Sequence, residues 1–399
     1  MSQTMANRPP YRDIHSLPVE VLSPIFCILS HMDTALDLAA AISYVKALWS
    51  RSLKPPKFIW HGKPILSVCH LWREIALGCP DFWKRMPVWS VEWTEMAISQ
   101  TNGKPIIIDM SLPLRSIVNA DALKLALLHV SRSEALTLYN SPSLNIVPYI
   151  RDAPAPSLRS FHFQSENIAV PAEEVEVQLF QGEALPLLRK VHVESLRLTS
   201  ASQLLHCPLL YLHLQDCHGP VWQSLSDMHD TLSRMPALQY LSLQNTLPST
   251  PLFPRVRWDR PAKITMESLS NLHMEGACLQ VAAVLQSMVF PQHCKIRLDV
   301  TVREHDLPEC VAILKAELAD HFSREPSGDE FTSLSIRDLP GASPPGPLLS
   351  FIAGRTRGAA GPGYDHLTLH IQWDVPLERR IACLTRPGAR SHSSRRLPC

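Results

Sequence analysis

The sequence predicts an α/β protein in which a small helical N-terminal domain precedes a long array of strands and helices with a parallel sheet. Near the N terminus, apolar residues recur at the spacing of a helix. From about residue 133 onward, the pattern apolar-x-x-apolar-x-apolar recurs along the chain. The chain also has 35 prolines but only 14 glycines, and the prolines separate short apolar runs, which indicates many short elements.

Length, charge and cysteine usage limit the class of protein. The 399 residues are enough for two domains, or for one small domain joined to an array. Because 38 Lys and Arg nearly balance 37 Asp and Glu, we expect neither nucleic acid nor a membrane surface as partner. The ten cysteines contain no C-x-x-C pair, which favours reduced thiols. With no signal peptide and no apolar run long enough to span a membrane, we expect a cytoplasmic or nuclear protein.

Two helices are predicted in the N-terminal domain, which we place at residues 14–89 after a disordered tail at 1–13. The apolar stripe of the first helix comprises residues 18, 21, 22, 25, 26 and 29. Its Pro24 predicts either a kink or a regular part that begins near Ser23. Residues 33–63 have no such stripe and are interpreted as an inserted loop. The second helix runs continuously from Ile65 to Leu77, where a glycine and a proline stop it.

The repeats predict a stack of strands over residues 90–374. Five copies are strong, and they begin at Leu158, Leu188, Leu209, Leu238 and Leu269. Weaker copies contain Leu136, Leu298, Ile336 and Leu369. Strands that alternate with helical segments favour parallel pairing through right-handed crossovers, and the irregular spacing is typical of leucine-rich repeats. We therefore predict an irregular leucine-rich-repeat solenoid, followed by a disordered basic tail at 375–399.

The middle residue of each repeat points away from the apolar side, because side chains alternate along a strand. These residues are His162, His192, His213, Ser242, His273, Arg297, Ser335 and Thr368. The columns on either side include Tyr211 and Tyr240, and Glu194 and Glu275. We predict that a target protein binds this face, and the candidate contacts are His162, His192, Tyr211, His213, Tyr240 and His273. The alternative is that these polar side chains only face solvent on an open sheet.

The histidines also allow more specific hypotheses, namely pH-sensitive binding or capture of a metal ion. A zinc site built from His206, Cys207, His213, Cys217 and His218 is disfavoured, because the strand pattern scatters these side chains over different faces. We predict no metal site and no cofactor. Motifs of hydrolases, metalloproteases and nucleotide-binding enzymes are missing from the sequence, which favours a protein without catalytic activity. An enzyme hidden in the solenoid is the remaining alternative.

The N-terminal residues resemble an F-box. The similarity rests on Leu17-Pro18-x-Glu20-Val21-Leu22-x-x-Ile25-Phe26, on Val68-Cys69-x-x-Trp72-Arg73-x-Ile75-Ala76 and on Phe82-Trp83. It covers about residues 14–89. Together with the repeats and the segment Gly103-Lys-Pro-Ile-Ile-Ile108, it resembles the expanded F-box families of mushroom-forming fungi.

This resemblance implies a substrate-recognition subunit of a cullin-RING (SCF-type) ubiquitin ligase, without catalytic activity of its own. The F-box would dock on a Skp-type adaptor bound to a cullin, and the repeats would bind the target. The adaptor contacts would be Leu17, Pro18, Ile25, Phe26 and Leu66, whereas Val68, Trp72 and Trp83 are either contacts or core. Pro24 and the 33–63 insertion depart from the family pattern. They favour the alternative of a leucine-rich-repeat interaction scaffold that does not engage the ligase.

Overall fold

The computed structural model describes most of the chain between residues 17 and 302, together with three later strands. The described ranges are 17–31, 62–110, 118–141, 144–165, 178–217, 221–248, 263–291, 294–302, 333–339, 348–354 and 365–373. The tails expected at 1–13 and 375–399, and nearly all of the insertion expected at 33–63, lie outside these residues. The chain forms two compact units, Met1–Tyr139 with Ser143–Leu158, and Asn140–Pro142 with Arg159–Cys399.

The first unit is mainly helical. Its helices are α1 (Val19–His31), α2 (Gly62–Val68), α3 (His70–Leu77), α4 (Val91–Gln100), α5 (Ala120–Leu127) and α6 (Val147–Arg151). Strands β1 (Ile106–Asp109) and β2 (Ser133–Asn140) pair in parallel. Among the described residues, none of the helices is both long and apolar enough to cross a membrane.

Helix α1 contains Pro24 in its interior. The helix begins at Val19, which excludes the alternative in which its regular part starts near Ser23. The amides of Val21 and Leu22 donate to the carbonyl of Pro18, at 3.0 and 3.1 Å. These bonds close the first turn ahead of Pro24, which lacks an N–H to donate.

The prediction of one continuous helix over Ile65–Leu77 is also wrong. Cys69 is extended, with φ −158° and ψ 173°, and it separates α2 from α3. Its Sγ accepts a hydrogen bond from the amide of Trp72 at 3.5 Å, so it caps α3. The guanidinium of Arg73 donates to the carbonyl of Leu66 at 2.9 Å, which supplies a partner near the end of α2. Apolar spacing continues across the break, and it therefore does not reveal the change of direction at Cys69.

The core of this unit extends past the domain boundary that the sequence suggested at residue 89. Trp83 is buried and donates its indole N–H to the carbonyl of Ala76 at 2.9 Å. Its ring stacks on Trp93 of α4, with centroids 6.2 Å apart. Backbone bonds also join Met86 and Lys84 to Ile107 of β1, at 2.9 and 2.8 Å. The described residues of the ranges 90–110 and 118–139 therefore belong to the compact unit of the N-terminal helices.

The second unit contains a mostly parallel sheet. Its regularly stacked strands are β3 (Ser160–Ser165), β4 (Lys190–Glu194), β5 (Tyr211–Gln215), β6 (Tyr240–Gln244), β8 (Asn271–Ala277) and β10 (Lys295–Val302). The connections contain helices α7 (Leu225–Ser233) and α8 (Cys278–Gln286), and short 3-10 turns at Leu179–Gly182 and Gln203–His206. Strands β7 (Ile264–Thr265) and β9 (Met288–Val289) form a small separate parallel pair.

Neighbouring strands from β3 to β10 pair in the register that the repeat predicts. One layer of interior residues comprises Phe161, Val191, Leu212, Leu241, Leu272 and Ile296, all of them buried. Strands β4, β5 and β6 are each followed by a residue in the left-handed region, namely Ser195, Asp216 and Asn245, with φ 54°, 48° and 53°. The amide of each donates to a carbonyl of the neighbouring strand, namely that of Gln215, Gln244 or Glu275, at 2.9–3.0 Å. These equivalent turns end the three strands at the same level.

The C-terminal edge of the sheet differs from the predicted stack. Strand β13 (Asp365–Trp373) pairs in parallel with β10, whereas β12 (Leu348–Gly354) and β11 (Ser333–Leu339) follow outward in antiparallel pairing. The weak repeat copies near Ile336 and Leu369 therefore mark strands correctly, but β11 is not the neighbour of β10. Alternation with period two fits parallel and antiparallel pairing equally, so it does not specify the partner.

Candidate functional site: two surfaces

The N-terminal helices bury several residues that the resemblance assigned to adaptor binding. Phe26 and Trp83 are 0 % and 1 % exposed, and Leu66 is 8 % exposed. Phe26 packs on the ring of Trp72, with centroids 4.9 Å apart. These side chains form the core of the unit, so the expectation that Phe26 and Leu66 lie on a docking surface is corrected, and Trp83 takes the core position that was one of its two alternatives. Leu17, Ile25 and Trp72 are half-buried, whereas Pro18 and Val68 are exposed.

Other apolar side chains of the same helices face outward. Nine large hydrophobic residues are exposed among the residues that the structure describes, and six of them lie on helices α1 to α3. We call these six the N-terminal apolar residues: Val19, Val21, Ile28, Leu29, Val68 and Leu71. Val21 and Ile28 are seven residues apart and lie on one side of α1, opposite the buried Leu22 and Phe26. Helical spacing assigns Val21 and Ile28 to one side of α1 and Leu22 and Phe26 to another. The F-box pattern alone does not indicate which of these sides is buried.

The thiols of Cys27 and Cys79 meet beside this core. Their Sγ atoms are 3.4 Å apart, and both cysteines are free. Burial, followed by the bond to Cys79, raises the pKa of the Cys27 thiol to about 12. At neutral pH this thiol is therefore protonated and a poor nucleophile.

On the sheet, the polar side chains form three columns across the strands. The histidine column comprises His162, His192, His213, Ser242, His273 and Arg297. The acidic column comprises Gln164, Glu194, Gln215, Gln244, Glu275 and Asp299. The tyrosine column comprises Ser160, Lys190, Tyr211, Tyr240, Asn271 and Lys295. All six predicted face residues thus lie on one face of the sheet.

Aromatic side chains stack along two of these columns. The ring of His192 lies between those of His162 and His213, with both centroid distances equal to 4.0 Å. Tyr211 and Tyr240 stack with centroids 4.3 Å apart and planes inclined by only 7°. Equivalent positions on adjacent strands are about 4.8 Å apart, so identical ring types at these positions can lie in contact.

The centre of the histidine column is less exposed than the repeat predicted. His213 is 7 % exposed and Ser242 is fully buried, although both occupy the outward position of their strands. The imidazole Nδ1 of His213 has no hydrogen-bond partner, and its Nε2 lies 3.4 Å from Oε1 of Gln215. Burial, followed by the charge of His192, lowers the pKa of His213 to about 4. His213 is therefore neutral at pH 7 and offers little surface to a ligand.

Glu194 pairs with the middle ring of the stack. Its Oε1 lies 2.7 Å from Nε2 of His192, and both side chains are about one-fifth exposed, at 19 % and 23 %. The hydrogen bond from His192 lowers the pKa of the Glu194 carboxyl, and the nearby His162 and His213 act in the same direction. One end of the polar face thus combines an ionised carboxylate with several imidazoles.

A second cluster surrounds His273. Its Nε2 lies 2.7 Å from Oδ2 of Asp299, an oxygen that also accepts a hydrogen bond from Arg297 at 2.9 Å. Burial, followed by the charges of Asp299 and Asp216, raises the pKa of the Glu275 carboxyl. This end of the face therefore carries several close carboxylates with Arg297 among them.

The structure brings together two groups whose side chains could ligate a metal ion. The first group is His162, His192 and Glu194, and the second is His273, Glu275 and Asp299. In each group the ligand atoms lie within 4.8 Å of one another. The sequence predicted no metal site, and Asp299 was not among its candidates. The only signal for Asp299 is its place two residues after the middle position of a weak repeat. Cys207 of the disfavoured zinc set is buried and bonded to the carbonyls of Leu185 and Gln203.

Comparison of the chain with family models, with curated proteins and with solved structures found no match.

Proposed function

We propose that this protein is the substrate-recognition subunit of a cullin-RING ubiquitin ligase of the SCF type. In this proposal the N-terminal helices are an F-box that binds a Skp-type adaptor and thereby a cullin. The stacked strands are an irregular leucine-rich-repeat solenoid that binds a target protein. The chain makes or breaks no bond, and it acts by raising the concentration of the target near the ligase.

The observation that carries the proposal is the set of N-terminal apolar residues. The helices have a core of their own, in which Leu22, Phe26 and Trp83 are at most 1 % exposed. Val21 and Ile28 nevertheless remain 43 % and 59 % exposed on the opposite side of α1. Exposed apolar side chains that cluster on one element are typical of protein interfaces. We therefore propose that the adaptor contacts Val21 and Ile28 on the exposed side of α1 instead of Phe26. Val68 and Leu71 on the adjacent helices complete this contact.

The polar face supports the second half of the proposal. Tyr211 and Tyr240 are partly exposed, and their stacking holds both rings in one orientation. A rigid aromatic pair beside charged columns offers contact area and hydroxyl groups at a small entropic cost. His162, His192 and His273 lie in the adjacent column and serve as polar contacts for the target, whereas the buried His213 supports the neighbouring ring.

The alternative is a repeat scaffold that does not engage the ligase. Pro24 favours it, because this residue lies inside α1 and is exposed near Val21 and Ile28 on the proposed docking side. A proline there departs from the F-box pattern at the proposed interface.

Co-purification of the full chain with a Skp-type adaptor and a cullin tests the proposal. The test variant Val21→Asp/Ile28→Asp places charges on exposed positions, so its fold should survive, unlike that of a Phe26→Asp variant. Met96→Asp is the matched control, because Met96 is 39 % exposed on α4 of the same unit. We expect the wild type and Met96→Asp to retain the adaptor and the double variant to lose it, with unchanged circular dichroism. A folded wild type that retains no adaptor would overturn the ligase proposal in favour of the scaffold.

A further inference from the structure

We propose that His162, His192 and Glu194 form a binding site for a divalent transition-metal ion of the zinc type. Two imidazoles and one carboxylate are a ligand set that zinc adopts in proteins with an exchangeable fourth ligand. Imidazole favours zinc, cobalt, nickel and copper over magnesium and calcium, which prefer oxygen ligands. This proposal does not require the ligase function, although His162 and His192 are also proposed contacts for the target.

The backbone holds the three side chains on adjacent strands. His192 and Glu194 are two residues apart on β4 and therefore point to the same face, and His162 is the registered partner of His192 on β3. The ligand atoms lie within 4.8 Å of one another. Tetrahedral zinc, with bonds of about 2.0–2.1 Å, needs ligand atoms about 3.3 Å apart. The rings of His162 and His192 are stacked with planes inclined by 19°, so these side chains must rotate out of the stack before two ring nitrogens can point at one ion.

The local charges also suit a cation. The hydrogen bond from His192 lowers the pKa of Glu194, which keeps the carboxylate ionised. The groups on β3, β4 and β5 whose charges reach this carboxylate are His162, His192 and His213. His213 is neutral because its pKa is lowered to about 4. His213 therefore adds no positive charge beside Glu194 at neutral pH.

The second cluster is a weaker candidate. The guanidinium of Arg297 lies 2.9 Å from Asp299, where it both occupies the carboxylate and repels a metal ion. This cluster also has one imidazole where the first has two. Its His273 therefore provides a control within the same sheet face.

The test uses the full chain, freed of metal by a chelator, and titrates it with zinc chloride at pH 7.5 by calorimetry. Cobalt chloride in a parallel titration reports geometry, because tetrahedral cobalt absorbs strongly in the visible range. The variants are His162→Gln and Glu194→Gln, with His273→Gln as the matched control. Circular dichroism establishes that each variant is folded.

We expect the wild type and His273→Gln to bind one ion at this site and to give the tetrahedral cobalt spectrum. His162→Gln and Glu194→Gln should each weaken binding by at least about tenfold, in the range typical for loss of a metal ligand or its support. Absence of zinc uptake by the folded wild type would overturn the proposal. So would wild-type affinity in both ligand variants, or a thiolate-to-cobalt charge-transfer band, which would assign the metal to cysteines.

Discussion

The buried imidazole of His213 makes the stability of the sheet sensitive to acid. Burial lowers its pKa in the folded chain to about 4, and the charges of His192 and His273 act in the same direction. Gln215 and Glu194 favour the charged form and oppose this effect. In the unfolded chain the same side chain has a pKa of about 6.5. The unfolded chain therefore binds the proton more readily, so the stability that neutral His213 contributes is complete above pH 6.5 and is lost as pH falls toward 4.

The magnitude follows from the difference between these two pKa values. At about 1.4 kcal/mol per pKa unit, the full effect is about 3 kcal/mol. Between pH 7.5 and pH 5, about 2 kcal/mol of it should be lost. His213 is only 7 % exposed, so solvent screening reduces this figure little.

Urea unfolding of the chelator-treated protein at pH 7.5 and pH 5, followed by far-ultraviolet circular dichroism, measures the effect. The variant is His213→Leu, which removes the titrating group, and the control is the exposed His206→Gln. We expect the free energy of unfolding to fall between the two pH values by about 2 kcal/mol more in the wild type than in His213→Leu. His206→Gln should behave like the wild type. Equal pH dependence in the wild type and His213→Leu would refute the reasoning.

Three further expectations concern other residues. The protonated Cys27 thiol, whose pKa is about 12, should react with iodoacetamide at pH 7.4 about 30-fold more slowly than glutathione, as peptide mass spectrometry can measure. Asn245→Ala should destabilise the protein by about 1–2 kcal/mol in urea unfolding, because alanine resists its φ of 53° and loses the bond to Asp216. Burial, followed by the charge of Tyr240, raises the pKa of Tyr211, so this phenol should stay protonated at pH 11. Ultraviolet titration should therefore count the same number of ionised tyrosines at pH 11 in the wild type and in Tyr211→Phe.

Each of these expectations has a contrasting outcome. Labelling of Cys27 at the rate of glutathione would mean that its thiol is not buried as described. Asn245→Gly serves as the matched variant, since glycine accepts positive φ, and a loss as large as that of Asn245→Ala would exclude backbone strain as the cause. Full ionisation of Tyr211 at pH 11 would contradict its burial against Tyr240.

The sheet of the second unit was largely predictable because its pattern is local. In each strong repeat, the residues at the first, fourth and sixth positions are apolar, and the structure buries them, as with Leu209, Leu212 and Leu214. Once each strand has the same inward face, in-register pairing places like residues side by side. The C-terminal strands were less predictable, because alternation in β11 indicates a strand but not its neighbour.

The apolar spacing and the repeat pattern do not show which residues of the two candidate surfaces are buried. The F-box resemblance selected Phe26 for its position in a motif, whereas the packing of α1 against α3 decides that Phe26 faces the core. Outward position on a strand likewise implied exposure of His213, but neighbouring rings and amides cover it. In both cases the sequence pattern indicates which residues share a side of a helix or strand. The packing of neighbouring elements and side chains determines whether that side is buried.

The histidine column shows how one property of the fold creates both its acid sensitivity and the proposed metal site. In-register strands hold the rings of His162, His192 and His213 at 4.0 Å, a distance at which imidazolium charges would repel one another. Such a column is stable only if most of its rings stay neutral, which burial achieves for His213, or if an anion lies beside it, as Glu194 does. Neutral imidazoles next to a carboxylate are also the protonation states that a metal ion requires of its ligands. The strand register that stacks these rings therefore also places two imidazoles and a carboxylate within reach of one cation, whereas the acid sensitivity belongs to His213 beside them.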